Sequence, residues 1–251
     1  TFNIDHNSIE KLITKNTSAI CVTHMYGNPC KMDEITKIAK KYNLKLVEDC
    51  AQAHGSQYMD KMVGKVVSKI DELGLSENTL IIFTGDNGTD QSIVSMLRGE
   101  RYPGGKGRTT DNGTHVPLIV RWNGIVPAEK ECLDMVDFSD ILPTICDAAK
   151  IEIPSDIHVD GISFLPQLLG KKGNPRKWIY SWYSPRGNQL KEFTRNTDYK
   201  LYSTGEFYNV RDDFFEKTPL IIENLNKDEK QAYIVLKKAL TIYSNTGKVR
   251  K

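Results

Sequence analysis

Leu80-Ile81-Ile82-Phe83-Thr84-Gly85-Asp86-Asn87-Gly88 is the stretch on which the reading of this chain turns. Four consecutive apolar residues form a strand-length run without polar alternation, the pattern of a strand buried on both faces of an α/β sheet. The polar, glycine-bearing residues after it end the strand. Asp86 and Asn87 therefore stand at the carboxyl end of a strand, where open α/β sheets bind ligands. A carboxylate and an amide carbonyl are hard oxygen donors of the kind taken by Ca²⁺ or Mg²⁺. The same residues also suit an ordinary Asp-Asn-Gly turn.

Working outward, Met62, Val66, Ile70 and Leu73 form one helical stripe, widened by Val63 and Val67, and Gly74 offers a cap. Pro117-Leu118-Ile119-Val120 reads as a second buried strand. Between the two strands lies a long, glycine-rich polar segment, Gly85 to Gly113, and connections of that length are usually functional or mobile. Within it, Gly104-Gly105-Lys106-Gly107 lets backbone and ammonium approach an anion closely. A metal ion plus this lysine would clamp a sulfate or phosphate group, although most lysines are simply solvated.

The flanks have different textures. Ile9, Leu12 and Ile13 share one side of a short helix, Ala19-Ile20-Cys21-Val22 is a strand, and Met32, Ile35, Ile38, Ala39 and Tyr42 recur at helical spacing. Leu44, Leu46 and Val47 begin another strand, which predicts a right-handed βαβ unit with a parallel pair. Ser139 is expected to cap a helix through Ile141, Leu142, Ile145 and Ala149. Beyond residue 175, aromatic runs at 178–180, 199–202 and 206–208 alternate with turn signals at 186–188 and 204–205, predicting a small antiparallel sheet. A last helix from Asp228 should turn Tyr233, Leu236 and Leu240 inward.

The 251 residues carry a net charge of +2 with acids and bases interspersed, so there is no electrostatic case for nucleic acid or an anionic membrane surface. No apolar run approaches a membrane span. Thr1 is not followed by a basic-then-apolar leader. The five cysteines lack a C-x-x-C pair and read as incidental thiols.

Several blocks in the second half resemble the sulfatase family. They are Thr84-Gly85-Asp86-Asn87-Gly88, Gly105-Lys106-Gly107, Gly113-Thr114-His115-Val116-Pro117, and the run from Asp137 to Thr144. Asp160 to Pro166 and Phe207 to Asp213 extend the match, in the family's order, over residues 59–245. The resemblance implies an alkaline-phosphatase-like α/β fold with a small C-terminal antiparallel subdomain. It implies calcium-dependent hydrolysis of a small-molecule or carbohydrate sulfate ester, in a periplasmic or secreted setting. Asp86 and Asn87 would ligate the metal, and Lys106 would contact the sulfate. The family usually has arginine where His115 stands, and a neutral imidazole cannot supply the same permanent charge; His115 receives no role. Trp182 and Tyr183 are expected to pack rather than line a site, and Asp212 and Asp213 to serve a turn rather than replace missing ligands.

The family's formylglycine nucleophile arises from Cys or Ser in Cys/Ser-x-Pro-x-Arg. No cysteine here has proline two residues later, and Ser184-Pro185-Arg186 has the wrong spacing. The family's early pair of metal-binding aspartates is not recognisable either. The expectation is a site that is incomplete and inactive in this chain alone.

Residues 1–58 resemble instead the DegT-type sugar aminotransferases, which are pyridoxal phosphate (PLP) enzymes. The match rests on His24-Met25-Tyr26-Gly27, Met32-Asp33-Glu34-Ile35 and Val47-Glu48-Asp49-Cys50-Ala51-Gln52-Ala53-His54-Gly55. The resemblance implies that Asp49 would pair with the PLP pyridine nitrogen and that Gln52 would lie against its ring. A Schiff-base lysine and a phosphate-binding segment are not identifiable, so bound PLP is not expected. The chain reads as a chimera joined near Tyr58–Gly64. Its expected parts are 1–58 (a βαβ fragment of PLP-transferase type), 59–175 (a partial sulfatase α/β portion) and 176–251 (the C-terminal subdomain). Strand edges left unpaired are expected to favour self-association.

Overall fold

In the computed structural model, residues 3–24, 29–49, 57–97, 99–184 and 190–243 are described, with backbone only at 49 and 57–59. The chain divides into two compact units. The first comprises residues 1–79, 83–108 and 112–119, and the second 80–82, 109–111 and 120–251.

The first unit opens with helix α1 (His6–Leu12), capped by the Asp5 side chain on the Asn7 amide. Strand β1 (Ala19–Thr23), helix α2 (Met32–Lys41) and strand β2 (Lys45–Asp49) follow. β1 and β2 pair in parallel, with Ala19 opposite Lys45 and Thr23 opposite Asp49, as the apolar periodicity predicts. Ile9, Ile20, Val22, Met32, Ile35 and Ala39 bury together under this pair. His24 is fully buried at the end of β1. Its Nδ1 accepts the Cys30 amide (3.1 Å), so Nε2 carries the proton and donates to Glu48 (3.2 Å).

Helix α3 runs from Gln57 to Glu72, straight through the stretch where the two resemblances meet. Gly74 follows with φ +67°, a left-handed cap position. The expected stripe is only partly realised. Met62, Val63, Val67 and Ile70 are half-buried, whereas Val66 and Leu73 are exposed.

Strand β3 (Ile81–Thr84) is half-buried rather than covered on both faces. The expected loop from 85 to 113 contains further structure: strands β4 (Val94–Leu97) and β5 (Glu100–Pro103) form an antiparallel hairpin, and helix α4 is a single turn at Asp111–Thr114. β6 (Leu118–Arg121) is the predicted second strand, and β3 and β6 form a two-stranded sheet.

In the second unit, helix α5 (Ile141–Ala149) is entered through a 3₁₀ turn at Phe138–Asp140. The cap is Asp137 rather than Ser139: Asp137 accepts the Ser139 amide, and Asp140 returns a bond to the Asp137 amide (2.8 Å) in a reciprocal capping box. Buried Asp140 also accepts the Ile162 amide (2.6 Å) and pairs with Arg176. Helix α6 (Leu165–Leu168) is one turn.

Strands β7 (Ile179–Tyr183), β8 (Lys191–Arg195), β9 (Tyr199–Tyr202) and β10 (Phe207–Asn209) build the antiparallel sheet in the order β10-β9-β8-β7. β8 carries no aromatic run longer than Phe193 alone, which is why its sequence did not announce it. Helix α7 (Lys227–Tyr243) buries Ala232, Leu236 and Ala239, with Tyr233 and Leu240 packed beside Leu201, Phe207 and Leu225. Trp182 is 54% exposed, so it does not pack as expected. None of the four described cysteines is in a disulfide. No helix among the described residues is long and apolar enough to cross a membrane.

Candidate functional site

The segment after β3 and the segment around Lys106 lie against each other within the first unit. The Lys106 amide donates to the Thr89 carbonyl (2.9 Å), and the Gly88 amide donates to the Gly113 carbonyl (2.9 Å). Glycine makes this approach possible. A Cβ on Gly88 would stand 2.0 Å from the Asn112 carbonyl oxygen, and one on Gly104 would stand 2.0 Å from that of Asp90. Any side chain there would force the backbones apart. The glycines read in the sequence as freedom for an anion therefore first serve loop-on-loop packing.

Side chains reinforce the contact. Gln91 donates to the Lys106 carbonyl (2.9 Å) and accepts from Arg108 (2.9 Å). Buried Asn112 donates to the Pro103 carbonyl (3.0 Å). The Ser92 amide and hydroxyl hold the Asp90 carboxyl below its ordinary range, and the Lys106 ammonium adds to this. Asp90 thus shares the field of Lys106. Gln91, Arg108 and Asp90 were not marked by the sequence, because each is a common loop residue whose partner lies in another segment.

Asn87, Gly88, Tyr102, Gly104, Asn112 and His115 help line a cavity of about 90 Å³, room for a few waters or one small anion. Asn87 is half-buried and His115 exposed; exposed Asp86 and half-buried Lys106 are not among its lining residues. The oxygens of Asp86 and Asn87 suit one side of a hard-cation site. Two donors fall short of the roughly six to eight that Ca²⁺ takes. No group of three or more His, Cys, Asp or Glu among the described residues could hold an ion. Asp212 accepts from Asn209 (2.9 Å) and Asp213 from the Thr218 amide (2.8 Å), which are turn contacts.

A second polar cluster was also missed. In β8 and β9, Arg195 pairs with Asp111, while Lys200 donates to the Thr109 carbonyl and to Glu216 (2.7 Å). Burial pushes the Lys200 ammonium down to about 8, against the upward pull of Glu216. The signal available was a lysine between two aromatic residues in a strand. In the N-terminal region, Asp49 ends β2 opposite Thr23 in backbone register. Gln52 lies outside the described residues, so its expected place against a PLP ring has no geometry here.

The solved PsFucS1 sulfatase from Pseudoalteromonas sp. is similar in structure, with a TM-score of 0.60 at 22% identity, over 85% of this chain and 52% of that one. The chain thus shares the mixed α/β fold of part of a sulfatase. Residues 106–245, more than half of the chain, match the family described as N-sulphoglucosamine sulphohydrolase, C-terminal, and the chain belongs to that family. An uncharacterized sulfatase, YdeN of Escherichia coli K12, is 32% identical over 183 residues, which is 59% of this chain and 32% of its own. Residues 1–71 match the DegT/DnrJ/EryC1/StrS aminotransferase family. A dTDP-3-amino-3,6-dideoxy-alpha-D-galactopyranose transaminase of Aneurinibacillus thermoaerophilus is 58% identical over 66 residues, 26% of this chain and 18% of its own. The chain spans about a fifth to a third of the length of these curated relatives.

Proposed function

We propose that the paired segments 85–90 and 104–113 form part of a sulfatase-type site, which holds the sulfate group of a carbohydrate sulfate ester beside a divalent cation. The observation that supports this reading is the backbone hydrogen bond from Lys106 to Thr89, which holds the lysine's segment against the one that follows Asp86 and Asn87. In this reading Lys106 contacts the sulfate. Asp86 and Asn87 would be its Ca²⁺ or Mg²⁺ ligands, and a cation there would withdraw charge from the ester oxygens. No step is assigned to the ion, because the two donors do not complete its shell. The sulfated amino sugar in the family's description supports carbohydrate as the substrate class.

These 251 residues contain no Cys/Ser-x-Pro-x-Arg motif. Without a covalent nucleophile, positioning and charge alone leave little catalysis. Binding without turnover is therefore the expected behaviour of this chain by itself. Calorimetry with calcium and sulfate, beside an aryl-sulfate hydrolysis assay, tests the reading. Expected are sulfate binding that Lys106→Ala weakens about tenfold, calcium binding lost in Asp86→Ala, and no hydrolysis. Purified protein that binds neither ion would overturn it.

The N-terminal likeness to aminotransferases supports a weaker alternative, a vestigial PLP site at Asp49 and Gln52. An absorbance of PLP that survives dialysis would favour it. Its loss on dialysis is the expected result.

A further inference from the structure

Lysine is almost never fully buried, yet Lys200 has no exposed surface. Its ammonium bonds Glu216 Oε1 (2.7 Å) and the Thr109 carbonyl, and it lies 3.9 Å from the Phe193 ring centroid and 4.9 Å from that of Tyr202. The Tyr202 hydroxyl pairs with both Glu216 Oε2 (2.5 Å) and Thr109 Oγ1 (2.9 Å). With one proton it donates to the carboxylate and accepts from the threonine. Glu216 itself sits at φ +56°, a left-handed backbone that side-chain-bearing residues adopt at a cost. Two residues along the chain from Thr109, Asp111 is held by Arg195.

These bonds converge on one three-residue stretch. Thr109–Asp111 is grouped with the C-terminal sheet, while residues 83–108 and 112–119 on either side are not. Lys106 lies three residues before the stretch, and the buried Asn112 follows it directly. A sheet needs no buried cation for its own ladder, and a well-packed apolar residue would stabilise it as well or better. The ammonium finds a second use in the carbonyl it fixes.

We infer that Lys200 is a positioning residue for the anion site: with Glu216, Tyr202 and Arg195 it pins Thr109–Asp111 and so restricts, through the chain, where Lys106 can go. This rests on the sulfate-site reading of Lys106, and its test has one readout that does not.

Backbone hydrogen exchange and sulfate titration are measured on the full chain, as wild type, Lys200→Met and the double variant Lys200→Met/Glu216→Gln. The double variant leaves no uncompensated buried carboxylate and so keeps the test open if the single one fails to fold. Expected is exchange about tenfold faster at amides 106–113, with strands β8 to β10 still protected, and sulfate affinity reduced about tenfold. Arg195→Met should loosen the same amides. Unchanged exchange at 106–113, loosening only together with the sheet, or failure of both Lys200 variants to fold would overturn the inference. Wild-type protein that does not bind sulfate would sink the function proposed above, while the exchange result would still decide whether Lys200 fixes the segment.

Discussion

Asp90 and Gly88 show how single residues set the properties of the loop pair. Asp90 places a carboxylate in the field of Lys106, so a bound sulfate must share that field with a like charge. Asp90→Asn should therefore tighten sulfate binding severalfold, and the effect should shrink as salt is raised. Equal affinities in low salt would show that the two groups do not interact with the ligand together. Gly88 has no space for a methyl group, because the Asn112 carbonyl occupies it. Gly88→Ala should abolish sulfate binding and cost about 1–3 kcal/mol of stability, the usual range for forced overpacking. Chemical denaturation together with the titration checks both. Asp86, Asn87 and Lys106 were legible as candidates from their place after a strand and among glycines. Asp90, Gln91 and Arg108 could not be read, because their importance lies in partners 15 to 17 residues away or in a charge that only the fold brings near.

At the level of elements, periodicity served where burial is one-sided. Met32, Ile35 and Ala39 face the N-terminal core, and Leu236 faces the C-terminal one, as their spacing predicts. It misled for β3, where a continuous apolar run proved half-buried in a two-stranded sheet. It was silent for the β4–β5 hairpin, whose apolar residues Val94, Met96 and Leu97 are exposed. The cap of α5 went to Asp137 rather than Ser139 because Asp140 could complete the box and still receive Arg176. Asp140 thus serves a helix start, the Ile162 amide and a buried guanidinium at once. Removing one partner of such a pair leaves the other charge uncompensated. Asp140→Ala should cost about 3–5 kcal/mol, read as a lower denaturant midpoint. A loss under 1 kcal/mol would show that the pair contributes little to the fold.

At the scale of the whole molecule, alkali gives a clean test of the C-terminal sheet. Burial, the largest cause in each case, raises the phenols of Tyr180, Tyr199, Tyr202, Tyr208 and Tyr243 above their ordinary 10. A group whose pKa is raised by folding holds its proton longer in the native state. Its stabilisation is complete below pH 10 and declines as pH rises beyond that. The 295 nm tyrosinate signal of these half-buried rings should therefore appear at higher pH in the folded protein than in the denatured one. Titration at the same pH in both states would contradict the shifts.

The interleaved division of the chain has a practical side. Residues 80–82 and 109–111 belong with one compact unit while the stretches flanking them belong with the other. A protease or an engineer who cuts once between positions 83 and 119 does not separate two bodies, but leaves each fragment holding a scrap of its neighbour. Expression of either unit as a simple truncation should yield a polypeptide with a missing strand piece or an orphaned turn. The two pieces of a single nick should be far more soluble together than apart.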